Sequence, residues 1–553
     1  MAMNLQNPVN SSKLLAAIDM GTNSFKMLVV RAEANGKFLA IDRIKEPVVL
    51  GQGFLSDTDA ISIEAQHRGI EALRKFGQVL QSQRVNQTKI VATSAVREAV
   101  NSGEFLHRIK EELGFEVDVL SGEEEARLVY LGVLQFLPVH DKTVLTVDIG
   151  GGSTEFVIGK QGKVLFAISL KLGHVSLTEA FVKNGKIVNM RQHIRSVLRE
   201  SGLVEKVREI GFGIAIGSSG TIRWIEKAVF SGYARDLLNP VTSFEEFRRD
   251  WRFSMEELSG VVEKLCGSDA GGVEQVRRIE FFKRRSEFIV AGAVLLLEIF
   301  EILNIDEMEV SGYALGQGVI AETLAMGSED YDVKANARWR SVIHLASRFN
   351  SKKGMKSAAR CAGIAKEIFE GLRKCDDLAG HHNKSVVSLD EKDLEYLEAA
   401  CLLHNIGQFT GKKGYHKQSY HIIKNGDHLH GYDTEEAELI ALLVRYHRKK
   451  FPRFSHAPFR GFPKEVKQKF RILCAIIRVS VALQCQYMNL QEVEISHSHE
   501  GFKLVLSKIT DQALPPDNVQ PAEEDVEAKL KQELEHFKEV FQQKLSVVVP
   551  LGT

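Results

Sequence analysis

The apolar run at residues 144–147 ends on Asp148, and after Ile149 the chain reads Gly150-Gly151-Gly152-Ser153-Thr154-Glu155. Consecutive glycines behind an apolar run restrict what the chain can become. They accept positive φ and let the backbone approach a bound group closely. Successive N–H groups in such a turn can point inward and form a nest for an anion. The hydroxyls of Ser153 and Thr154 add donors, and a nearby acid can hold a hydrated Mg2+. Read alone, the stretch is equally a glycine-rich turn between two strands. Recurrence is what narrows the choice. Asp19-Met20-Gly21-Thr22-Asn23-Ser24 stands between apolar runs at 14–18 and 27–30, and Gly217-Ser218-Ser219-Gly220-Thr221 follows another at 213–216 and opens a helical pattern. Three such units predict a duplicated α/β fold closing around a phosphate compound. No Walker A pattern is present, which excludes a P-loop enzyme.

At 553 residues, with 44% hydrophobic and 26% charged residues, the chain has room for three or four domains with large cores. Zero formal net charge argues against bulk nucleic-acid or membrane-surface binding. Six cysteines, none before Cys266 and none closely paired, do not form a disulfide framework and suit a reducing compartment. The most apolar run, residues 288–300, contains Glu298 and is too short for a membrane span. Residues 1–12 are short and polar without a signal-peptide apolar region, so a cytoplasmic location is expected.

Between the glycine-rich loops, residues 59–83 have helical periodicity, and a short strand at 90–92 runs into Thr93-Ser94-Ala95 with Arg97 one turn on. Hydroxyls and an arginine at a helix start make an anion site. A surface ion pair accounts for Arg97 equally well. A strand at 117–120 precedes Ser121-Gly122-Glu123-Glu124-Glu125, which opens a helix to about residue 136. Acids in a first turn ordinarily complement the helix dipole. Residues 164–169 read as a strand, 189–201 and 244–264 as helices, 308–311 as a last strand and 312–325 as a closing helix. The basic cluster Arg277, Arg278, Lys283, Arg284 and Arg285 is either a solvated face or a groove for a polyanion.

In this order, the stretches at 19–24, 93–101, 121–127, 148–155 and 217–221 resemble those of the exopolyphosphatase and guanosine pentaphosphate phosphohydrolase (Ppx/GppA) family, within the sugar kinase, heat-shock ATPase and actin superfamily. The resemblance implies two actin-like (ribonuclease H-like) α/β subdomains around a cleft, at residues 13–141 and 142–327. An all-helical HD-like domain at 335–490 and a small α+β C-terminal cap at 491–553 would follow. The implied activity is release of terminal orthophosphate from inorganic polyphosphate, or of the 5′-γ-phosphate of pppGpp, with Mg2+ or another divalent cation as cofactor and a homodimer as the assembly. Glu125, immediately before Ala126-Arg127, would be the catalytic base. Asp148 and Glu155 would be catalytic and hold the metal. Asp19, Gly21, Thr22, Asn23, Ser24, Thr93, Ser94, Arg97, Gly150, Gly151, Gly152, Ser153, Thr154, Gly217, Ser218, Ser219, Gly220 and Thr221 would hold phosphates. The chain departs from the family pattern at Ser176, where an arginine is usual, and at Gly316-Gln317, where Arg-Glu is usual. These departures leave open a non-catalytic protein that binds polyphosphate or an alarmone. An ATP-dependent kinase or chaperone of the same superfamily is disfavoured by the acid-rich segment at 121–127.

After a linker at 328–334, helical patterns fall at 341–349, 358–372, 393–404, 435–446 and 465–487. HD phosphohydrolases bind metal through His, a His-Asp pair and a further Asp. Here the pair is His404-Asn405, and an amide is a poor carboxylate substitute, so no working metal site is expected. Lys412-Lys413-Gly414-Tyr415-His416-Lys417 and Arg445-Tyr446-His447-Arg448-Lys449-Lys450 match family patterns. They would line a path for polyanion, or pack and cap helices. Residues 492–496 and 503–507 alternate as a hairpin, 522–544 form an amphipathic helix and 545–549 a strand.

Overall fold

The computed structural model describes residues 13–33, 35–50, 60–230, 232–233, 251–267, 286–327, 337–378, 388–411, 413–426, 428–448, 451, 453–486, 490–498, 501–508 and 523–548. It divides into two compact units, residues 1–336 and 337–553.

In the first unit, β1 (Lys13–Met20), β2 (Ser24–Ala32) and β3 (Phe38–Pro47) form an antiparallel meander. After α1 (Ile63–Ser82), β4 (Gln87–Ala92) returns parallel to β1. Two helices, α2 (Ser94–Glu98) and α3 (Ser102–Leu113), lead to β5 (Asp118–Val119), which lies parallel to β4. The sheet order is β3-β2-β1-β4-β5. Its core packs Ile18, Phe25, Val29, Leu73, Phe76 and Phe105, all essentially inaccessible. The alternating and continuous apolar runs explain this: β1 and β2 are central strands buried on both faces, whereas β3 is the edge and turns polar along its length. Ser62 accepts from the Ala65 N–H and so starts α1 at residue 63 rather than at the expected 59.

A second sheet repeats the plan. After α4 (Gly122–Leu134), β6 (Val144–Ile149), β7 (Thr154–Lys160) and β8 (Lys163–Leu170) form the meander. The helices α5 (His174–Ala180), α6 (Ile187–Glu200) and α7 (Leu203–Ile210) precede β9 (Ile214–Ser218), parallel to β6. Beyond α8 (Ser219–Phe230) lie β10 (Arg252–Ser254), α9 (Met255–Cys266), α10 (Ile289–Leu303), β11 (Glu307–Val310) and α11 (Leu315–Gly327). The order is β10-β11-β9-β6-β7-β8. Thus β6 is the counterpart of β1, and β9 of β4.

The single helix expected at 244–264 is corrected. Residues 252–254 pair antiparallel with 307–309, and α9 begins at 255. Ser254 accepts from the Glu257 N–H while Glu257 accepts from the Ser254 N–H, a capping box that marks the boundary. α10 is almost wholly apolar and is buried from Ile289 to Phe300, with Glu298 held by Arg191 and Arg195 of α6. The basic cluster at 277–285 and the linker at 328–334 lie outside the described residues.

Helix α4 is the joint of this unit. It packs on β7 and β8 and also on α11, which in turn packs on β1 and β2. The contact between α4 and α11 is backbone on backbone. A Cβ at Gly318 would lie 1.8 Å from the Leu128 carbonyl oxygen, and one at Gly132 would lie 2.2 Å from that of Ala314. On the other side the Tyr130 ring fills the space where Gly159 of β7 has no side chain. Gln317, at the position where a family charge pair is missing, accepts the Ala314 N–H (3.0 Å) and so caps α11.

The second unit is mostly helical: α12 (Ala337–Phe349), α13 (Lys352–Leu378), α14 (Glu391–Leu403), α15 (Tyr415–Asn425), α16 (Thr434–Tyr446) and α17 (Lys464–Gln486). A sheet of β12 (Leu490–Ser498), β13 (Gly501–Lys508) and β14 (Leu545–Val548) follows, with α18 (Glu523–Phe541) between its last two strands in sequence. The buried Arg478 of α17 ties α18 in through a bidentate pair with Glu533 (2.6 and 3.0 Å). No helix among the described residues is long and apolar enough to cross a membrane.

Because α4 and α11 touch through their backbones, Gly318→Ala should destabilise the first unit by about 3 kcal/mol or more, beyond ordinary overpacking. Chemical denaturation followed by circular dichroism measures this. An unchanged midpoint would mean the two helices can separate without cost.

Candidate active site

The loops at the carboxyl ends of the parallel strands meet in one place. The β1–β2 turn contributes Gly21, Thr22 and Asn23, and the β4–α2 junction contributes Thr93 and Ser94. The β6–β7 turn contributes Gly150, Gly151, Gly152 and Ser153, and the β9–α8 junction contributes Ser218 and Ser219. Carboxyl ends of parallel strands are where open α/β sheets place ligands. The loops of the two sheets abut. A Cβ at Gly152 would come 2.7 Å from Ser94 Oγ and 3.2 Å from Thr22 Oγ1, and one at Gly151 would meet Thr22 Cβ at 2.9 Å. Gly150 N–H donates to the Ser153 carbonyl, closing the turn at 2.9 Å. The carbonyls of Gly150 and Gly151 accept N–H groups from His174 and Val175, which seats the start of α5. Gly173 must be glycine here, since a Cβ would lie 2.1 Å from the Gly151 oxygen.

The acids come from three elements. Asp148 is the penultimate residue of β6, and register places Glu155 of β7 directly beside it, Ser169 of β8 beside Glu155, and Ser218 of β9 on the other side. A polar row therefore crosses four strands: Ser218, Asp148, Glu155, Ser169. The outer hydroxyls donate inward. Ser218 Oγ donates to Asp148, and Ser169 Oγ donates to Glu155 Oε1 at 2.9 Å. Ser153 Oγ donates to the same Glu155 oxygen at 2.6 Å. In the first sheet the counterpart of Asp148 is Asp19, and its cross-strand neighbour is Lys26 rather than an acid; Lys26 Nζ donates to Asp19 Oδ2 at 2.9 Å.

Glu125 stands one turn into α4, whose start is capped by Ser121 Oγ accepting the Glu124 N–H. It is 8% exposed, and burial pushes its carboxyl up to about 7, with Asp19 and Asp148 adding to the rise and Arg97 opposing it. Burial also raises Asp148, and raises Glu155 well above the usual carboxylate range, with Glu125 and Asp148 contributing to the latter. These groups therefore sense one another across the cleft between the sheets. Dry, closely grouped carboxylates favour a compensating cation.

Arg97 is engaged by protein. Its Nη1 donates to Glu125 Oε2 and to the Leu120 carbonyl, each at 2.9 Å. It fastens the acid as well as facing the loops. Several of the expected phosphate-holding residues also have partners within the protein. Asn23 offers its carbonyl to the N–H groups of Val48 and Val49. Gly217 lies inside β9, where a Cβ would strike Met308 Sδ at 2.5 Å. Thr221 is buried with its Oγ1 3.3 Å from His174 Nδ1. Ser219, the first residue of α8, takes φ +93°, and Gly220 follows it in the helix. Ser176 caps its own helix through Gly173, bonding the Gly173 N–H at 3.3 Å and carbonyl at 3.0 Å. Thr154 Oγ1 donates to the Leu172 carbonyl.

Residues that the motifs did not single out are Lys26, Ser169 and Arg223. Lys26 lies within electrostatic reach of Asp19, Asp148 and Arg223. Arg223 donates from Nε to the Ser219 carbonyl (3.0 Å) and from Nη1 to the Gly312 carbonyl (3.3 Å). The signal that could have found Lys26 and Ser169 is strand register, since each is the direct neighbour of a motif acid.

Oxygen donors of this kind suit Mg2+, which is commonly held by one or two carboxylates completed by waters and substrate phosphates. Among the described residues no three His, Cys, Asp or Glu side chains form a metal cage by themselves. Asp148 and Glu155 fit the smaller task, leaving the remaining positions to water and substrate.

The histidines of the two basic stretches, and that of the His404-Asn405 pair, lie in the interior of the second unit. His404, His416 and His447 are buried. His404 Nδ1 donates to the Cys401 carbonyl at 2.7 Å and His447 Nδ1 to that of Val444 at 2.6 Å, while Tyr415 Oη donates to His447 Nε2 at 3.0 Å. Burial pushes His404 down to about 4 and lowers His447 further from its ordinary value. Asn405 is occupied with Asn350 (3.0 Å) and the Gly354 carbonyl (3.2 Å). Of the two readings open for the basic stretches, packing is the one that accounts for His416 and His447.

The model of the Ppx/GppA phosphatase family matches residues 29–326, and the model of domain III of that phosphatase matches 337–515. Among solved structures, an exopolyphosphatase from Cytophaga hutchinsonii is 26% identical over 58% of this chain and 100% of its own, with a TM-score of 0.50. The Ppx/GppA family member of Aquifex aeolicus is 26% identical over 57% of this chain and 99% of its own, with a TM-score of 0.46.

A carboxyl raised in the folded state binds its proton more tightly than the unfolded chain does. The stability this gives is present below about pH 4.5 and is lost as pH rises through about 7. Glu125→Gln should therefore unfold at higher denaturant than the unsubstituted protein at pH 8, by up to about 3 kcal/mol, with the gap closing toward pH 5. A gap that stays constant with pH would show that Glu125 carries no burial penalty.

Proposed function

The chain belongs to the Ppx/GppA phosphatase family, and from that premise we propose that it hydrolyses a terminal phosphoanhydride, releasing orthophosphate from inorganic polyphosphate or the 5′-γ-phosphate from pppGpp. The observation that carries the reading is Glu125: buried, held by Arg97, raised to about 7, and set among Asp19, Asp148 and Glu155 at the glycine-rich loops. A base needs both reach and a pKa near the working pH. Glu125 would orient a water for in-line attack on the terminal phosphorus and take its proton. Arg97 would keep the carboxylate on the correct side of its equilibrium, since a guanidinium at 2.9 Å favours the ionised form. The N–H groups of Gly151, Gly152 and Ser153 and the hydroxyls of Thr22 and Ser94 would bind the anhydride oxygens. Lys26 would offset charge next to Asp19. A divalent cation bound by Asp148 and Glu155 would offset charge on the attacking and leaving oxygens. Such a reaction rests on positioning and electrostatics more than on covalent chemistry.

The departures at 176, 316 and 317 do not favour the binding-only alternative. Ser176 and Gln317 each complete a helix start, and Gly316 stands in open space with Leu28 3.8 Å from where its Cβ would be.

Phosphate release with Mg2+ from long polyphosphate, short polyphosphate and pppGpp, assayed in parallel, is the test. Glu125→Gln should bind the preferred substrate within a few-fold and turn it over about two orders of magnitude more slowly or worse. Equal turnover removes Glu125 from the reaction; saturable binding with no turnover in the unsubstituted protein overturns hydrolysis.

A base titrating at about 7 predicts turnover that rises with pH through that value. Arg97→Gln removes a charge that favours the carboxylate, so the rising limb should move to higher pH. A limb that stays in place, or moves to lower pH, assigns it to another group.

A further inference from the structure

We propose that Ser169 is a positioning residue for the acids of the site, fixing which oxygen of Glu155 is offered to the bound cation and seating the helix that carries Glu125. The inference rests on the phosphohydrolase reading above. Ser169 lies outside every glycine-rich loop, in the middle of sequence with no motif, on the edge strand β8.

Glu155 is 2% exposed, and its Oε1 accepts from two hydroxyls, Ser153 and Ser169. A glutamate side chain left free in a pocket would spread over several rotamers, and holding one of them costs entropy that hydrogen bonds must offset. With both donors on Oε1, Oε2 is the oxygen left for a ligand. The two donors are not equivalent. Ser153 belongs to the turn that closes on substrate, so its hydroxyl sits on a segment that must accommodate the phosphate. Ser169 belongs to a paired strand, in register with Glu155 itself. It is the donor that does not depend on the loop.

The second contact is with α4. A Cβ at Gly122, the first residue of that helix, would lie 2.6 Å from Ser169 Cβ and 3.3 Å from its Oγ. The helix start therefore rests on Ser169 itself, one turn before Glu125. A single side chain thus supports both carboxylates, and with them the spacing between base and metal ligand. Partners of metal-holding carboxylates commonly affect metal affinity or activity by about 10- to 100-fold.

A double-mutant cycle on the full chain tests this. Ser169→Ala, Glu155→Ala and the double variant are compared for Mg2+ dependence of turnover, using long polyphosphate or pppGpp, whichever the unsubstituted protein hydrolyses. Mg2+-dependent binding of the same compound is measured by calorimetry with Glu125→Gln added to each, so that turnover is blocked. Ser169→Ala should raise the Mg2+ concentration for half-effect by about ten-fold in both measurements. In the Glu155→Ala background the same change should cost less than about two-fold, because its target is gone. An equal loss in both backgrounds, or a loss matched by a fall in melting temperature without any change in Mg2+ dependence, overturns the assignment. If the unsubstituted protein hydrolyses its substrate and Ser169→Ala changes nothing, only the role of Ser169 fails. If it hydrolyses and binds neither compound, the phosphohydrolase reading fails and this role goes with it.

Discussion

The close approach of α4 to α11 is the constraint on which the rest depends. Two helices can lie backbone to backbone only where neither presents a side chain, and Gly132 and Gly318 supply that absence. The same helix is pressed from the other side by β7 and β8, with Tyr130 over Gly159 and Gly122 over Ser169. α4 therefore has no freedom to slide or roll. Its first turn carries Glu125 into a buried position, and it is this burial, more than any neighbouring charge, that lifts the carboxyl to about 7.

The duplicated sheets explain the charge pattern. Each meander carries an aspartate one residue before the end of its first strand, and the neighbouring strand supplies the next residue in the row. In one half that residue is Lys26 and the aspartate is paired; in the other it is Glu155 and the acids accumulate. One repeat thus pairs its aspartate with a cation of its own, and the other sets two acids side by side. The asymmetry arises from one cross-strand position in an otherwise matched topology.

The loops were legible in the sequence because their chemistry is local: glycine runs, hydroxyls and acids after apolar runs announce themselves within a few residues. So were most strands and helices, through period and caps. What escaped was set by neighbours far away in the chain. Lys26 and Ser169 are significant only through register. Arg97 reads from sequence as an anion ligand or as one half of an ion pair, and the pair's other half, Glu125, comes from another element. Gly217 and Thr221 sat inside a loop motif yet face Met308 and His174. The strand at 252–254 was hidden in a helical period, though the capping box at Ser254 and Glu257 marked the boundary. His416 and His447 stand in strongly basic stretches yet are buried, since charge is visible in sequence and burial is not.

The glycine contact between α4 and α11 also bears on how the chain is made. Its two sides are encoded on opposite ends of the second sheet, so a ribosome releases the acid helix well before it releases the segment that clamps it. Until residue 318 emerges, the nascent chain holds an apolar helix with one flank uncovered and a carboxylate not yet locked in place. Domains tend to fold as units during synthesis. Here the first sheet cannot complete its unit alone, and a truncated product that ends inside the second sheet would expose that flank to chaperones and proteases rather than persist as a half-sized enzyme.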